Sequence, residues 1–175
     1  MSEQLGGVSD FDARAFIIEL FQALNDHDVE KVVSMHTPDA LWEDPSLAAP
    51  VTGRAAIGEH LRAVFEAFPD LRFQEDVEIY ECAPELAASR WRLTGTMEGR
   101  IDPPGFGPTG KRATVSGACF YGFEEGLLSR HRLVYDALAM LEQLGIIPTP
   151  ESTHARVNAS LQRAGARVAR TLHRA

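Results

Sequence analysis

The segment Leu41–Leu61, LWEDPSLAAPVTGRAAIGEHL, constrains this chain more than any other. It opens on a short apolar strand signal, Ala40-Leu41-Trp42, followed at once by two carboxylates, Glu43 and Asp44. Pro45 then stops regular strand pairing, because proline has no N–H to donate. A small-residue loop runs to Gly53, and beyond it Ile57, Leu61, Val64, Phe65 and Phe68 recur at the spacing of one helix face. An acidic pair therefore sits at a strand end, beside a tryptophan and against the start of an amphipathic helix. An aspartate held against apolar surface can become basic enough to move protons. The same Asp44 could simply cap the proline turn, and the residues leave both roles open.

At 175 residues the chain has the size of one domain with a real core. No apolar run reaches the length of a membrane span. MSEQLGGVSDFD shows neither the basic nor the apolar part of a secretory signal, and the expected address is the cytoplasm. Cys82 and Cys119 form neither a metal spacing nor a disulfide framework, and Cys119 reads as a small buried hydrophobe. The six histidines contain no His-x-x-x-His pair, and the glycines of 105–110 precede a strand rather than follow one. Neither a metal site nor a nucleotide cofactor is expected. The net charge of −8 divides into +4 from Glu151 onward and −12 before it. Such an acidic body speaks against nucleic acid as a partner.

Along the chain, Ser9-Asp10 is expected to cap a first helix whose inner face carries Ala13, Ile17, Leu20, Phe21 and Leu24. Asp28 caps a short second helix that Pro38 ends, and the helix after Gly53 runs to Phe68. Leu71, Phe73, Val77 and Ile79 alternate as one half-buried strand. Further strands follow over 87–96, 114–123 and 127–136, with a Pro/Gly loop at 101–111 and a hairpin turn at Glu124-Glu125-Gly126. A helix from Ala137 closes at Gly145. Helices followed by a meander of long antiparallel strands make an α+β domain over 1–148. Residues 149–175 read as a separate amphipathic tail, with Val157, Leu161, Ala164, Val168 and Leu172 on one arc and five arginines on another.

The run ALWEDP, with the following P, G, AI and L, resembles the ketosteroid isomerase and SnoaL-like polyketide cyclase families of the nuclear transport factor 2-like superfamily. AFPDL (67–71), PTGKR (108–112), the Gly126 hairpin and the segment from Asp136 to LEQLGIIP are similar to SnoaL-like cyclases, in the family's order. The resemblance spans about Phe11 to Pro148. It implies a cone: a curved antiparallel sheet wrapped around the first helix, with a pocket at its open end. It also implies that Asp44 is the counterpart of the isomerase base, and Asp136 the counterpart of the cyclase acid/base. From the residues alone, Asp136 could equally cap the helix that starts at Ala137. Other positions depart from these patterns. The isomerase's oxyanion tyrosine falls on Leu20, and its supporting tyrosines fall on His36 and Leu61. A cyclase histidine falls on Val134. Arg90-Trp91-Arg92 lacks the aspartate that related epoxide hydrolases need.

The expected catalytic pair is therefore Asp136 and Asp44. The expected pocket wall draws on Trp42, His36, Leu20, Trp91, Tyr121, Arg132 and Val134. Strand parity puts Arg130, Arg132 and Val134 on the face of Asp136 and His131, Leu133 and Tyr135 on the other. The resemblance implies a cofactor-free cyclase or isomerase acting on a hydrophobic carbonyl compound. The alternative is a non-catalytic binding protein on the same scaffold, because fold does not dictate function. A homodimer or larger assembly is expected, since the outer face of a long meander would otherwise leave apolar side chains in water.

Overall fold

The structure is a computed structural model and describes residues 11–74, 76–102, 104–149, 152 and 162. Three helices come first: α1 (Ala13–Asn25), α2 (Val29–Ser34) and, after strands β1 (His36–Glu43) and β2 (Val51–Thr52), α3 (Arg54–Ala67). Strands β3 (Arg72–Phe73), β4 (Glu78–Ala83), β5 (Leu86–Thr96), β6 (Arg112–Glu124) and β7 (Leu127–Tyr135) follow, then α4 (Ala137–Gln143). The α+β architecture agrees with the sequence reading. The predicted tail helix lies outside the described residues apart from Ser152 and Gln162.

The strands form one seven-stranded sheet in the order β2-β1-β7-β6-β5-β3, with β4 also paired to β5. All pairs are antiparallel except β1–β7, which run parallel, a departure from the all-antiparallel expectation. That crossing lets β1 arrive at the sheet from the helical layer and places Trp42 beside His131 in register. The inner row continues from His131 to Tyr121 on β6 and Ala87 on β5. Alternation then sorts the faces: Ala87, Trp91, Val115, Cys119, Tyr121 and His131 are buried, while Arg90, Phe120, Arg130 and Arg132 are exposed. The helices cover the buried face. Ile17 and Leu20 of α1 are fully buried, and Phe21 meets Phe73 edge to face at 5.0 Å.

Several boundaries differ from the sequence reading. The cap of α1 is Asp12, whose carboxylate accepts from the Ala15 N–H at 2.8 Å; residues 9 and 10 fall outside the described part. Asp28 caps α2 as expected, through Lys31 N–H at 2.9 Å. Pro38 does not end that helix. It lies within β1, where the pairing to β7 shifts register between His36 and Leu41 and no ladder N–H is needed. The single strand read over 71–79 is two short ones, β3 and β4. The β6–β7 hairpin turns through Glu125 and Gly126 with φ of 50° and 75°, the two positive values a tight two-residue hairpin requires.

Candidate active site

Between α3, the sheet's buried face and α4 lies a cavity of about 170 Å³. Apolar side chains dominate its wall, with Phe21, Leu61, Val64, Trp91, Val115 and Met140 drawn from helices and strands alike. Asp44 enters this apolar space because β1 ends one residue earlier. Alternation turns Glu43 outward to an ion pair with Arg130 at 2.8 Å, which lowers the Glu43 pKa, and turns Asp44 inward. The two adjacent carboxylates thus have opposite surroundings.

Asp44 is heavily engaged. Its Oδ1 accepts from the Ser46 N–H at 2.8 Å, the Ser46 hydroxyl at 2.7 Å and the Tyr135 phenol at 2.8 Å. Its Oδ2 lies 3.6 Å from His60 Nε2, an electrostatic contact longer than a hydrogen bond. Both partners are nearly enclosed, with side chains 10% and 11% exposed. Burial pushes the Asp44 pKa up. His60, the Ser46 N–H and hydroxyl, and Tyr135 together outweigh burial and bring the pKa down to about 2. Asp44 is therefore a carboxylate at neutral pH. Tyr135 responds in the opposite sense: burial first, then the adjacent Asp44 charge and their hydrogen bond, raise its pKa and keep it a phenol.

The cavity holds three of the residues expected there, Asp44, Trp42 and Trp91. The others sit elsewhere. Asp136 is the N-cap of α4: it is exposed, its Oδ1 accepts the Ala139 N–H at 2.9 Å, and it is not a wall residue. Arg132 and Val134 share its outward face and are exposed, so the pocket-wall expectation for both is corrected. The alternation of β7 holds, and its inward set is His131, Leu133 and Tyr135. Leu20, His36 and Tyr121 are buried in the core behind the wall. The Tyr121 hydroxyl pairs with Ser89 at 2.7 Å and His36 Nδ1 with the Val32 carbonyl at 2.8 Å.

The sequence patterns single out neither His60 nor Ser46, and they place Tyr135 and His131 only on the face opposite Asp136. His60 follows Ile57 by three residues on the apolar stripe of α3, so its position toward the core was readable. Tyr135 and His131 alternate with the exposed arginines of β7 in the same legible way. The rim carries Arg100, ion-paired with Asp102 at 3.1 Å, both side chains more than half exposed. Among the described residues, no three His, Cys, Asp or Glu side chains converge as metal ligands, and no helix is long and apolar enough to cross a membrane.

No curated protein matches the chain. Solved structures do. AclR of Streptomyces galilaeus, a hydroxylase candidate, superposes with a TM-score of 0.66 at 23% identity, covering 88% of this chain and 94% of its own. IdmH, a polyketide cyclase candidate from Streptomyces antibioticus, gives 0.61 at 24% identity over 75% and 96%. A Catenulispora acidiphila DSM 44928 protein with a ketosteroid isomerase-like fold gives 0.64 at 13% identity over 77% and 95%. These likenesses show a shared fold. Residues 12–144, most of the chain and everything from the cap of α1 to the end of α4, match the family model for SnoaL-like polyketide cyclases. The chain belongs to the SnoaL-like polyketide cyclase family.

Proposed function

We propose that this protein is a cofactor-independent acid/base enzyme of the cyclase or isomerase type, acting on a hydrophobic carbonyl-containing small molecule. One observation carries the reading: a single ionised carboxylate, Asp44, is set into an apolar cavity with His60 and Tyr135 against it. The proton-transfer centre is thus assigned to Asp44 and His60 rather than to Asp136. A bound apolar ketone would remove the small solvent contact that Asp44 keeps, its side chain being 10% exposed. The carboxylate's basicity would then rise above that of the empty site. The proton leaves the carbon α to the carbonyl for this pair, and the C–H electrons become the enolate. Either the enolate carbon attacks a second carbonyl of the same folded molecule, whose π electrons pass to oxygen as that oxygen takes the proton back from the pair, or the pair returns the proton to a different carbon of a conjugated enolate. Tyr135, held as a phenol, fixes the orientation of Asp44.

The binding-only alternative draws its support from Asp136, which points into solvent as a cap. One experiment separates the two readings. With 2-tetralone in heavy water, followed by NMR, the wild-type protein should accelerate deuterium uptake at the α-carbons. Asp44→Asn should lose roughly 100-fold of that acceleration, and Asp136→Asn should stay within a few-fold of wild type. Binding of the ketone without accelerated exchange establishes the alternative, and loss confined to Asp136→Asn overturns the assignment.

A further inference from the structure

The inner wall of the cavity holds a second polar group that the proton chemistry above does not use. His131 is 2% exposed and lines the cavity, and Trp42 beside it is 3% exposed. Their rings lie 4.1 Å apart, with Tyr121 at 5.0 Å and His36 at 5.8 Å from His131. His131 Nδ1, Trp42 Nε1 and, behind the wall, His36 Nε2 are buried without a hydrogen-bond partner, and of these residues His131 and Trp42 line the cavity. A buried polar side chain left unmatched is costly, and interiors keep few of them without a purpose. Two neighbours on one cavity wall make a cluster that a ligand could complete.

The charges around it define the ligand. His131 is held neutral: burial lowers its pKa well below the usual histidine range, His36 lowers it further, and Asp44 only partly offsets them. His36 itself is pushed down by burial, with Arg54 adding to this against its bond to Val32. Apart from His60, which already faces Asp44 at 3.6 Å, no cationic side chain faces the cavity interior among the described residues, since Arg100 is at the rim and paired with Asp102. The fixed interior charge is Asp44. A carboxylate ligand would lose its water, meet that negative charge and find no positive partner. A neutral oxygen has both a donor and an acceptor chemistry available at an uncharged imidazole.

We propose that the His131–Trp42 wall is a positioning subsite for an uncharged oxygen, a hydroxyl or carbonyl, of an aromatic or alicyclic ligand, and that the cavity excludes carboxylates. This rests on reading the cavity as the ligand site and adds the substrate's charge and the residue that orients it. His131 is a positioning residue; the proton transfer stays with Asp44 and His60.

The test compares naphthalene, 2-naphthol and 2-naphthoate by calorimetry at pH 7. Wild-type protein should bind 2-naphthol about tenfold tighter than naphthalene, the scale of one buried hydrogen bond, and 2-naphthoate weaker than both. His131→Phe should abolish the hydroxyl preference while still binding naphthalene, and His131→Gln should restore part of it. Equal affinity for naphthol and naphthalene in the wild type overturns the proposal, and that arm needs no variant to fold. A preference unchanged in His131→Phe, or tight binding of naphthoate, overturns it as well. The 2-tetralone exchange assay reports on Asp44 and these ratios report on His131, so either reading can fail while the other stands.

Discussion

Asp44 shows how much one residue's neighbours decide. The same carboxyl in water would titrate near 3.8, and here its partners hold it at about 2. A carboxylate whose folded pKa lies below its unfolded one stabilises the fold above the unfolded value, and that contribution is lost as pH falls through the folded value. The acid-sensitive window for Asp44 therefore runs from about pH 4 down to about pH 2. Its full size is on the order of 2 kcal/mol. Urea unfolding followed across that range should show wild type losing stability more steeply than Asp44→Asn; parallel curves would contradict the engaged carboxylate. At Asp136 the expected effects are structural. Asn caps helices about as well as Asp, so Asp136→Asn should leave the thermal midpoint nearly unchanged, whereas Asp136→Ala should cost about 1 kcal/mol. A large loss of stability in Asp136→Asn would show a role beyond the cap. The sequence made Asp44 visible because a strand end, a proline and an apolar helix surrounded it in twenty residues. It also left two roles open at Asp136, whose carboxylate caps α4 in the structure.

At the scale of elements, periodicity carried most of the fold. The apolar spacing of α1 and the alternation of β5, β6 and β7 translate closely into the buried sets, while the α3 stripe gives buried Ile57 and Leu61 and half-buried Val64, Phe65 and Phe68 along the cavity. Alternation alone does not say which face is inside. The β7 pattern offers Arg130, Arg132 and Val134 against His131, Leu133 and Tyr135, and a resemblance at Asp136 drew the wrong set inward. The parallel β1–β7 pairing was equally hidden, because it joins segments about ninety residues apart and leaves no local signature. What could not be read from either segment is the close packing of strands on the ligand wall. Gly117 is the clearest case: a Cβ there would lie 2.5 Å from the Trp91 ring and 2.7 Å from the Val134 carbonyl oxygen. Gly117→Ala must move the indole or the strand, and overpacking of this kind costs about 1–3 kcal/mol. Because Trp91 lines the cavity, the variant should also weaken 2-naphthol binding, and a variant with unaltered midpoint and affinity would show that the wall yields freely.

For the whole molecule, the buried core of the described residues runs from Ala13 to Leu144. Deleting 151–175 should leave a cooperatively folded domain by circular dichroism; a collapsed, non-cooperative product would mean the tail completes the core. The sheet's outer face raises a different question. Phe120 is 52% exposed and Val134 47%. They stand on the adjacent strands β6 and β7, with Phe120 opposite Arg132 and Val134 opposite Ala118. Ala88 pairs Phe120 on the other side and Tyr80 pairs Ala88, extending the row across β5 and β4, where Tyr80 is 52% exposed. The helices cover the opposite face, so nothing within the described chain shields this one. Phe120 and Tyr80 flank the small Ala88 in one row that ends at Arg132, and Val134 stands in the next row, so the face presents apolar area that a monomer would ordinarily bury. A second copy pairing face to face would cover it, which makes a homodimer the expected state. Light scattering at micromolar concentration should give twice the 19.2 kDa chain mass. Phe120→Glu should convert that species to monomer while leaving the circular dichroism spectrum intact, because the side chain is outside the core. A wild-type monomer at that concentration, or a Phe120→Glu dimer, would remove the sheet face as the pairing surface.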